Sequence, residues 1–290
     1  MMIQLIASDM DGTLLNSEME ISEANITAIK KAQAAGIEFV VATGRSIEEA
    51  KPILDAAKIS CRFITSNGAQ IFDKNGENNF TLGIDKDKLT QIIPVLREHK
   101  IYFELFTNNG GFTENIDSRL ASVAHWLKST SPNLSEAEAL ATAKSHMTTL
   151  PIHQVNNFNE VVENSELKVL KVFAMGQRHD PALALAKQEL NNIAGLHVTS
   201  SGANNIEVNH IDAHKGASLK KMTDKLGIAM QDVAALGDNF NDVSMLQAAG
   251  LSIAMANGEA AVKQIAKQVT VANTQNGVAH AIDNILEKKW

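Results

Sequence analysis

The first eighty residues alternate between apolar runs and amphipathic stretches. The runs IQLIAS, IEFVVATG and CRFITSNGAQIF predict three buried strands. The stretches between them predict two helices, the first with Ser22 as N-cap and Gly36 just past its end, the second with a capping box of Ser46 and Glu49. Because buried strands separated by helices favour right-handed crossovers, we predict a parallel sheet.

The last eighty residues repeat this alternation, whereas the middle of the chain differs. HKGASLKKMTDKLG and NDVSMLQAAG predict helices, and DVAALGDN, LSIAMAN and QVTVAN predict strands. Between about Leu82 and Asn209, helices mix with short strands such as HVTSS and NNIEVNH, and Asn75-Gly76 predicts a tight hairpin before this segment. We therefore predict an α/β protein with one domain formed by residues 1–82 and 209–290 and a second α/β domain, residues 83–208, inserted into it.

Composition and charge narrow the function classes. The 290 residues are 44% apolar and carry a net charge of −7, which argues against a nucleic-acid surface because phosphate backbones need clustered Lys and Arg. Apolar windows stay shorter than the roughly 18 residues that span a bilayer, and the first run is too short for a signal peptide. The single cysteine, Cys61, fits a reducing compartment. We expect a cytoplasmic protein with no nucleic-acid or membrane partner, and leave its oligomeric state open.

Polar clusters follow four of the predicted strands. Parallel strands bring their carboxyl ends to one edge of a sheet, where ligands bind near a switch in strand order. Aspartates gathered there make a hard, oxygen-rich site that suits Mg²⁺ completed by water and phosphate oxygens. The clusters are Asp9 with Asp11, Thr43-Gly44-Arg45, Ser66-Asn67-Gly68, and Gly237-Asp238-Asn239 followed by Asn241 and Asp242.

Each cluster alone is weak evidence, because Asp-Gly, TGR and GDN are common in ordinary turns. Their combination in this order, each after an apolar run, indicates a functional site. Thr43 and the neighbouring amides at a helix N-terminus suit a phosphate group, because the amides and the helix dipole there favour anions.

The motifs DMDGT, ATGR, SNGA, the lysine of HKG, GDNFND and NTQNGVAHAI together resemble those of the haloacid dehalogenase superfamily. They look most like its Cof-type sugar-phosphate phosphatases, from about Ile3 to the C-terminus. The resemblance implies a Rossmann-like parallel-sheet core with helices on both faces. It also implies an α/β cap, inserted after the third strand, that selects the substrate, in agreement with the insertion predicted above.

The resemblance also implies roles for individual residues. Asp9 would be the nucleophile that forms an aspartyl-phosphate, and Asp11 the general acid and then the base. Lys215 would neutralise Asp9 and the phosphate, and Mg²⁺ would bind to Asp9, Asp238 and the backbone carbonyl of Asp11. The implied phosphate- and substrate-binding residues are Met10, Thr43, Gly44, Lys215 and Asn241, with Asp242 supporting the metal site from behind.

Three features of the sequence each allow two interpretations. The family often has a Pro and a Gly ahead of its lysine, whereas this chain has His210, Asp212 and His214, which are either solvated loop residues or additional metal ligands. Arg45 either faces the substrate or braces its helix. Aromatic residues of the insertion line a substrate pocket or pack in its core, and they are Tyr102, Phe103, Phe106, Phe112 and Trp126.

These observations predict a Mg²⁺-dependent phosphatase that hydrolyses small phosphate monoesters of metabolites, with sugar phosphates as the expected class. Two alternatives share the same aspartates. In a phosphomutase, a sugar hydroxyl would attack the intermediate. In a non-enzymatic phospho-acceptor domain, the phosphoryl group would persist as a signal. The large insertion and the second acid two residues after Asp9 favour turnover.

Overall fold

The computed structural model of the protein describes residues 2–130, 134–149, 151–176, 180–202 and 204–290. The chain forms two compact units, Met1–Thr81 with Asp212–Trp290, and Leu82–Ile211. The return boundary was predicted at residue 208, but the strand that precedes it continues to His210 and pairs within the inserted unit. Residues 209–211 therefore belong to that unit.

The first unit is built on an eight-stranded sheet with the strand order β14-β13-β12-β1-β2-β3-β4-β5. Neighbours from β14 to β3 are parallel, whereas β4 and β5 are antiparallel additions at one edge. The strands are β1 Leu5–Ser8, β2 Glu38–Ala42, β3 Arg62–Thr65, β4 Gln70–Phe72, β5 Asn78–Thr81, β12 Val233–Gly237, β13 Leu251–Met255 and β14 Gln268–Thr270.

Helices cover both faces of this sheet because its central strands are apolar on both sides. One core packs α1 Glu23–Ala34, α2 Ile47–Ala56 and α11 Gly277–Leu286 against one face. The other core packs α8 Lys215–Leu226, α9 Val243–Ala248 and α10 Ala260–Ile265 against the opposite face. The predicted α/β class with a parallel sheet is confirmed.

The predicted helix caps are present in the structure, whereas one predicted strand is wrong. Ser22 caps α1 by accepting a hydrogen bond from the amide of Asn25, and Ser46 donates its amide to Glu49 in the predicted capping box. The stretch CRFITSNGAQIF, however, is not one strand. It turns at Ser66–Gly68 and returns as the antiparallel strand β4, because Ser66, Asn67 and Gly68 all adopt positive φ.

The inserted unit contains a six-stranded sheet with the order β10-β11-β9-β6-β7-β8. Its pairs are antiparallel except for β7 with β8. The strands are β6 Tyr102–Thr107, β7 Gly110–Thr113, β8 Ile152–Gln154, β9 Val169–Met175, β10 Leu196–Thr199 and β11 Asn205–His210. The helices are α3 Lys86–Glu98, α4 Ile116–Thr130, α5 Glu136–Thr149, α6 Asn159–Val162 and α7 Pro181–Asn191.

The two faces of the six-stranded sheet differ in character. One face packs in an apolar core with α3 and α7, and this core includes Phe103 and Phe112. The residues that alternate with this core point to the opposite face and carry buried charges. There Glu104 forms an ion pair with Arg119 of α4, and Lys171 forms one with Glu207 at 3.2 Å. The period-2 alternation of β6, β9 and β11 thus separates an apolar face from a charged one.

Candidate active site

The strand order reverses between β1 and β12, which are neighbours in the middle of the eight-stranded sheet. From β1 the chain proceeds through β2 and β3 to one edge, and from β12 through β13 and β14 to the other. Such a switch point opens a crevice at the carboxyl ends of the strands. Asp9 directly follows β1 and Asp238 directly follows β12, so both stand at this crevice.

Lys215 joins two of the predicted acids. It is the first residue of α8 and is fully buried, and its Nζ lies 2.6 Å from Asp9 Oδ1 and 2.6 Å from Asp242 Oδ1. Burial alone would lower the pKa of Lys215, but the carboxylates of Asp242 and Asp9 raise it well above its usual value. Lys215 is therefore a permanent cation beside Asp9, the residue that follows β1.

Asp242 uses its second carboxylate oxygen to shape the loop after β12. Oδ2 accepts hydrogen bonds from the amides of Asp238 at 2.9 Å and Asn239 at 3.0 Å. Gly237 is required at the preceding position, because a Cβ there would lie 2.5 Å from the Cβ of Asp242. With both oxygens occupied in this way, Asp242 orients Lys215 and the Asp238 loop.

The acids outnumber the cation that they share. Asp9, Asp238 and Asp242 each place a carboxylate oxygen within 4.8 Å of the other two, the one such acidic group among the described residues. Burial, followed by the charge of Asp242, raises the pKa of Asp9 well above its usual value and the pKa of Asp238 to about 7. Three crowded carboxylates share only one ammonium group, and this deficit of positive charge beside hard carboxylate oxygens fits a divalent cation such as Mg²⁺.

Asp238 is held against the loop after β1. Thr13 Oγ1 donates a hydrogen bond of 2.9 Å to Asp238 Oδ1. Gly12 adopts a φ of +77°, and a Cβ added to it would lie 2.5 Å from Asp238 Oδ2. Glycine in the DMDGT motif therefore serves two needs, a left-handed backbone and the close approach of a carboxylate.

Asp11 does not join the acidic group but forms a two-pronged ion pair with Arg45. Arg45 Nε donates to Asp11 Oδ2 at 2.8 Å, and Nη2 donates to Asp11 Oδ1 at 2.6 Å. Desolvation lowers the pKa of Arg45, but its hydrogen bond to Asp11 and the nearby charges raise it overall. The main contact of the Arg45 side chain is therefore with an acid of the neighbouring loop. This differs from the interpretation in which Arg45 braces its own helix.

The loops after β2 and β3 complete the crevice edge. Thr43 is buried, its Oγ1 accepts a hydrogen bond from the Arg45 amide at 3.1 Å, and its carbonyl accepts one from the Asn67 amide at 3.0 Å. Gly44 lies between Thr43 and Arg45 in the same turn. Met10 is fully buried in the apolar core below the site, so its backbone rather than its side chain stands next to Asp9.

Asn241 has a buried side chain at the same edge. Its Nδ2 donates to Asn67 Oδ1 at 3.3 Å, whereas its Oδ1 is buried without a hydrogen-bond partner among the described residues. Buried polar atoms in folded proteins are nearly always paired, so an orphaned one marks a place for water or a ligand. Asn241 therefore has an unmet hydrogen-bonding capacity, and it is one of the residues predicted to bind phosphate.

The remaining candidates have ordinary partners. His210 ends β11 and faces Asp85 at 3.9 Å. His214 caps α8, with Nδ1 accepting the Ala217 amide at 3.1 Å. Neither these histidines nor Asp212 belongs to a group of metal-ligand side chains within the described part of the chain. Among the aromatics, Tyr102 donates to Glu104 and Phe106 lies beside Lys171 on the charged face, and the side chain of Trp126 lies outside the described residues.

Sequence reasoning missed or left unassigned three residues of this edge, namely Thr13, Arg45 and Asn67. Each lies within one of the motifs DMDGT, ATGR and SNGA. The available signal was their position in the loops that follow β1, β2 and β3, because the loops after parallel strands border the crevice. Contacts between side chains 34 to 225 residues apart carry the rest of the information.

Comparison with known proteins identifies the family of the chain. Residues 6–282 match the family model of haloacid dehalogenase-like hydrolases. The chain therefore belongs to this family, and the resemblance to its Cof-type phosphatases is confirmed. As predicted, the protein is a phosphoric monoester hydrolase, that is, a phosphatase that acts on small phosphate substrates.

Individual relatives share nearly the full length of the chain. The phosphatase YwpJ of Bacillus subtilis is 32% identical over 98% of this chain and 100% of its own. The 5-amino-6-(5-phospho-D-ribitylamino)uracil phosphatase YcsE of Bacillus subtilis is 33% identical over 97% and 94%. A solved haloacid dehalogenase-like hydrolase from B. subtilis has a TM-score of 0.87 at 32% identity, covering 97% of this chain and 99% of that one. Within the described residues, no helix is both long and apolar enough to cross a membrane.

Proposed function

We propose that the protein is a Mg²⁺-dependent phosphatase that acts through an aspartyl-phosphate on Asp9. The observation that carries this proposal is the pairing of Asp9 with the buried Lys215 at the switch point, 2.6 Å apart and beside Asp238. A buried carboxylate next to a fixed cation can approach a phosphate dianion, because the cation offsets the repulsion between the two anions.

The proposed reaction has two steps. An Asp9 oxygen attacks phosphorus, the bond from phosphorus to the leaving oxygen breaks, and Asp11 gives its proton to the departing alcohol. Asp11 then takes a proton from water as the water oxygen attacks phosphorus. The bond between phosphorus and Asp9 breaks, which releases inorganic phosphate and restores both side chains. Lys215 stays charged throughout and stabilises the negative charge near Asp9.

Mg²⁺ would be held by Asp9, Asp238 and the backbone carbonyl of Asp11. When bound, it would neutralise carboxylate and phosphoryl charge and so lower the barrier to attack. The deficit of positive charge among Asp9, Asp238 and Asp242 supports this assignment. Asp242 is proposed to support the metal site indirectly, since its two oxygens are bonded to Lys215 and to the loop amides. Thr43, Gly44, Asn241 and the Met10 backbone are proposed to contact the phosphoryl oxygens.

For the substrate we propose small phosphorylated metabolites, with sugar phosphates as the leading class, and we assign their selection to the inserted unit. The names of two relatives support a small-molecule substrate, the 5-amino-6-(5-phospho-D-ribitylamino)uracil phosphatase YcsE and the pyridoxal phosphate phosphatase YbhA of Escherichia coli. One face of the six-stranded sheet carries two buried ion pairs, Glu104 with Arg119 and Lys171 with Glu207, and this charged character supports a polar substrate rather than an apolar one. A screen of phosphorylated metabolites tests the class, and turnover confined to phosphates without hydroxylated chains would refute it. The single buried cysteine supports the cytoplasm as the proposed location.

Labelling of the nucleophile tests the mechanism. Quenched-flow mixing with a ³²P-labelled donor should give a short-lived adduct on wild-type protein that decays to free phosphate. Asp9→Asn should abolish both label and turnover, and EDTA should abolish turnover until Mg²⁺ is restored. The isosteric Asp55→Asn, on an exposed helix face, serves as the matched control. Label that survives Asp9→Asn would exclude this nucleophile, transfer of label to added sugar phosphate would indicate a mutase, and a persistent adduct would indicate a phospho-acceptor domain.

A further inference from the structure

We propose that Arg45 is a positioning residue that holds the Asp11 carboxylate in the orientation needed for proton transfer to and from the substrate. This inference rests on the proposed function, in which Asp11 is the general acid and base. Its basis is the two-pronged contact, with Arg45 Nε at 2.8 Å and Nη2 at 2.6 Å from the two oxygens of Asp11. A guanidinium fork bonded to both oxygens fixes the plane of a carboxylate as well as its position.

Asp11 needs such a partner more than Asp9 does. The side chain of Asp11 is 47% exposed, whereas that of Asp9 is 6% exposed and already held by Lys215. An exposed aspartate has several rotamers of similar energy, and only a few of them place an oxygen beside a leaving group. Without Arg45, Asp11 would spend much of its time in unproductive rotamers.

Arg45 itself is anchored on a rigid part of the chain. Its amide donates to Thr43 Oγ1 at 3.1 Å, and its carbonyl accepts from the Ser66 amide at 2.9 Å. The next residue, Ser46, begins the capping box of α2. The guanidinium therefore extends from a turn that is hydrogen-bonded on both sides, which is the support that a catalytic constellation requires.

The ion pair leaves Asp11 chemically competent. A carboxylate offers about two acceptor positions on each oxygen, and the fork occupies one of them on each. The second position on one oxygen can carry the proton that Asp11 gives to the leaving oxygen in the first step, and it can accept a proton from the attacking water in the second. A lysine at position 45 would supply the same charge but not the fork, so it could not fix the plane of Asp11.

The leaving group of the substrate gives a readout that separates positioning from other roles. General acid catalysis matters for a poor leaving group, such as phenoxide, and hardly at all for 2,4-dinitrophenolate, which departs without a proton. The ratio kcat/KM is the right quantity, because it reports the first phosphoryl transfer and excludes the later step in which Asp11 acts as base. The experiment therefore measures kcat/KM for 2,4-dinitrophenyl, 4-nitrophenyl and phenyl phosphate.

We expect Arg45→Ala to lower kcat/KM for phenyl phosphate by about 10²-fold, the order of loss for a misplaced catalytic group. For 2,4-dinitrophenyl phosphate the loss should be less than about threefold, because no proton donor is needed. Arg45→Lys should resemble Arg45→Ala. Lys51→Ala, which removes another cation from the adjacent helix, is the matched control and should leave all three values unchanged.

The double variant tests whether Arg45 acts through Asp11. In the Asp11→Asn background, adding Arg45→Ala should change kcat/KM for phenyl phosphate by less than about threefold, because the group that it positions is already lost. Multiplicative losses would instead show an independent role and overturn the inference. Thermal unfolding verifies folding, and Arg45→Gln replaces Arg45→Ala if the alanine variant unfolds.

Two further results would overturn the proposal. Equal losses for all three substrates would place Arg45 on the phosphoryl group, and full recovery with Arg45→Lys would reduce its role to charge. Both presuppose that wild-type protein releases phosphate. If the wild type hydrolyses none of the three esters, the proposed function fails and takes this inference with it, whereas wild-type turnover with unaffected Arg45 variants removes the inference alone.

Discussion

The ionised carboxylate of Asp238 should destabilise the metal-free protein, so that removing its charge makes the protein more stable. Asp238 is crowded by the charge of Asp242 within the acidic group, and burial together with this charge raises its pKa from 3.8 to about 7. The substitution Asp238→Asn keeps the shape of the side chain and the oxygen that accepts from Thr13. It therefore removes the charge with little change in packing.

The size of the effect follows from the pKa. One pKa unit is equivalent to about 1.4 kcal/mol, so a rise from 3.8 to about 7 costs at most about 4 kcal/mol once Asp238 is ionised in the folded state. A raised carboxyl pKa means that the folded state binds more protons than the unfolded state. Stability should then be highest below pH 4 as far as this group is concerned, and it should fall as the pH rises towards 7.

We expect Asp238→Asn to increase the free energy of unfolding in EDTA by about 2 kcal/mol at pH 8, below the ceiling because the carboxyl group is partly accessible to water. At pH 4 the two proteins should differ little. Mg²⁺ should reverse the order at pH 8, because ligand binding stabilises the folded wild type and the variant lacks one of the proposed metal ligands.

Urea unfolding at pH 4 and pH 8, with EDTA or with Mg²⁺, measures these differences. The exposed Asp224→Asn, from an ion pair on α8, is the control for a general effect of net charge. A variant that is less stable than wild type at pH 8 in EDTA would refute the reasoning, and so would an equal gain from Asp224→Asn.

Two other predictions concern a helix cap and two glycine positions. Burial lowers the pKa of His214, whose neutral Nδ1 caps α8 through the Ala217 amide, so the folded state resists protonation. Stability should be lost as the pH falls below about 6.5, because the unfolded state then binds a proton that the folded state resists. His214→Asn should flatten this loss in urea titrations at pH 5 and 8, and an unchanged slope would contradict it. Gly36→Ala, at φ +83° with open space around it, should cost about 1 kcal/mol of strain. Gly12→Ala should cost more and also lower phosphatase activity, because its Cβ would strike Asp238, and equal effects in calorimetry would contradict this.

The sequence by itself determined the elements of the first unit and the order of its motifs. Hydrophobic period and capping residues placed the helices and strands, because these signals act within about four residues of chain. The same pattern put a polar cluster after each central strand, which is why Asp9, Thr43 and Asp238 were candidates before any contact was known. Parallel pairing then implied that they share an edge.

The tertiary structure decided which partner each side chain has. The turn between β3 and the antiparallel strand β4 was not predicted. Three successive residues, Ser66 to Gly68, adopt positive φ there, which residues other than glycine seldom do. Lys215 meets Asp9 across 206 residues of sequence only because α8 packs with its first residue against the centre of the sheet. No local pattern encodes such a distance.

The two acids of the DMDGT motif show the division most clearly. In the sequence, Asp9 and Asp11 are equivalent carboxylates two positions apart. In the structure, the turn after β1 separates them, burying Asp9 beside Lys215 and exposing Asp11 to Arg45. Their environments differ because other elements contribute their partners, Lys215 from α8 and Arg45 from the loop after β2. Sequence therefore specifies which chemical groups reach the crevice, and packing of the surrounding elements specifies which charge each group meets.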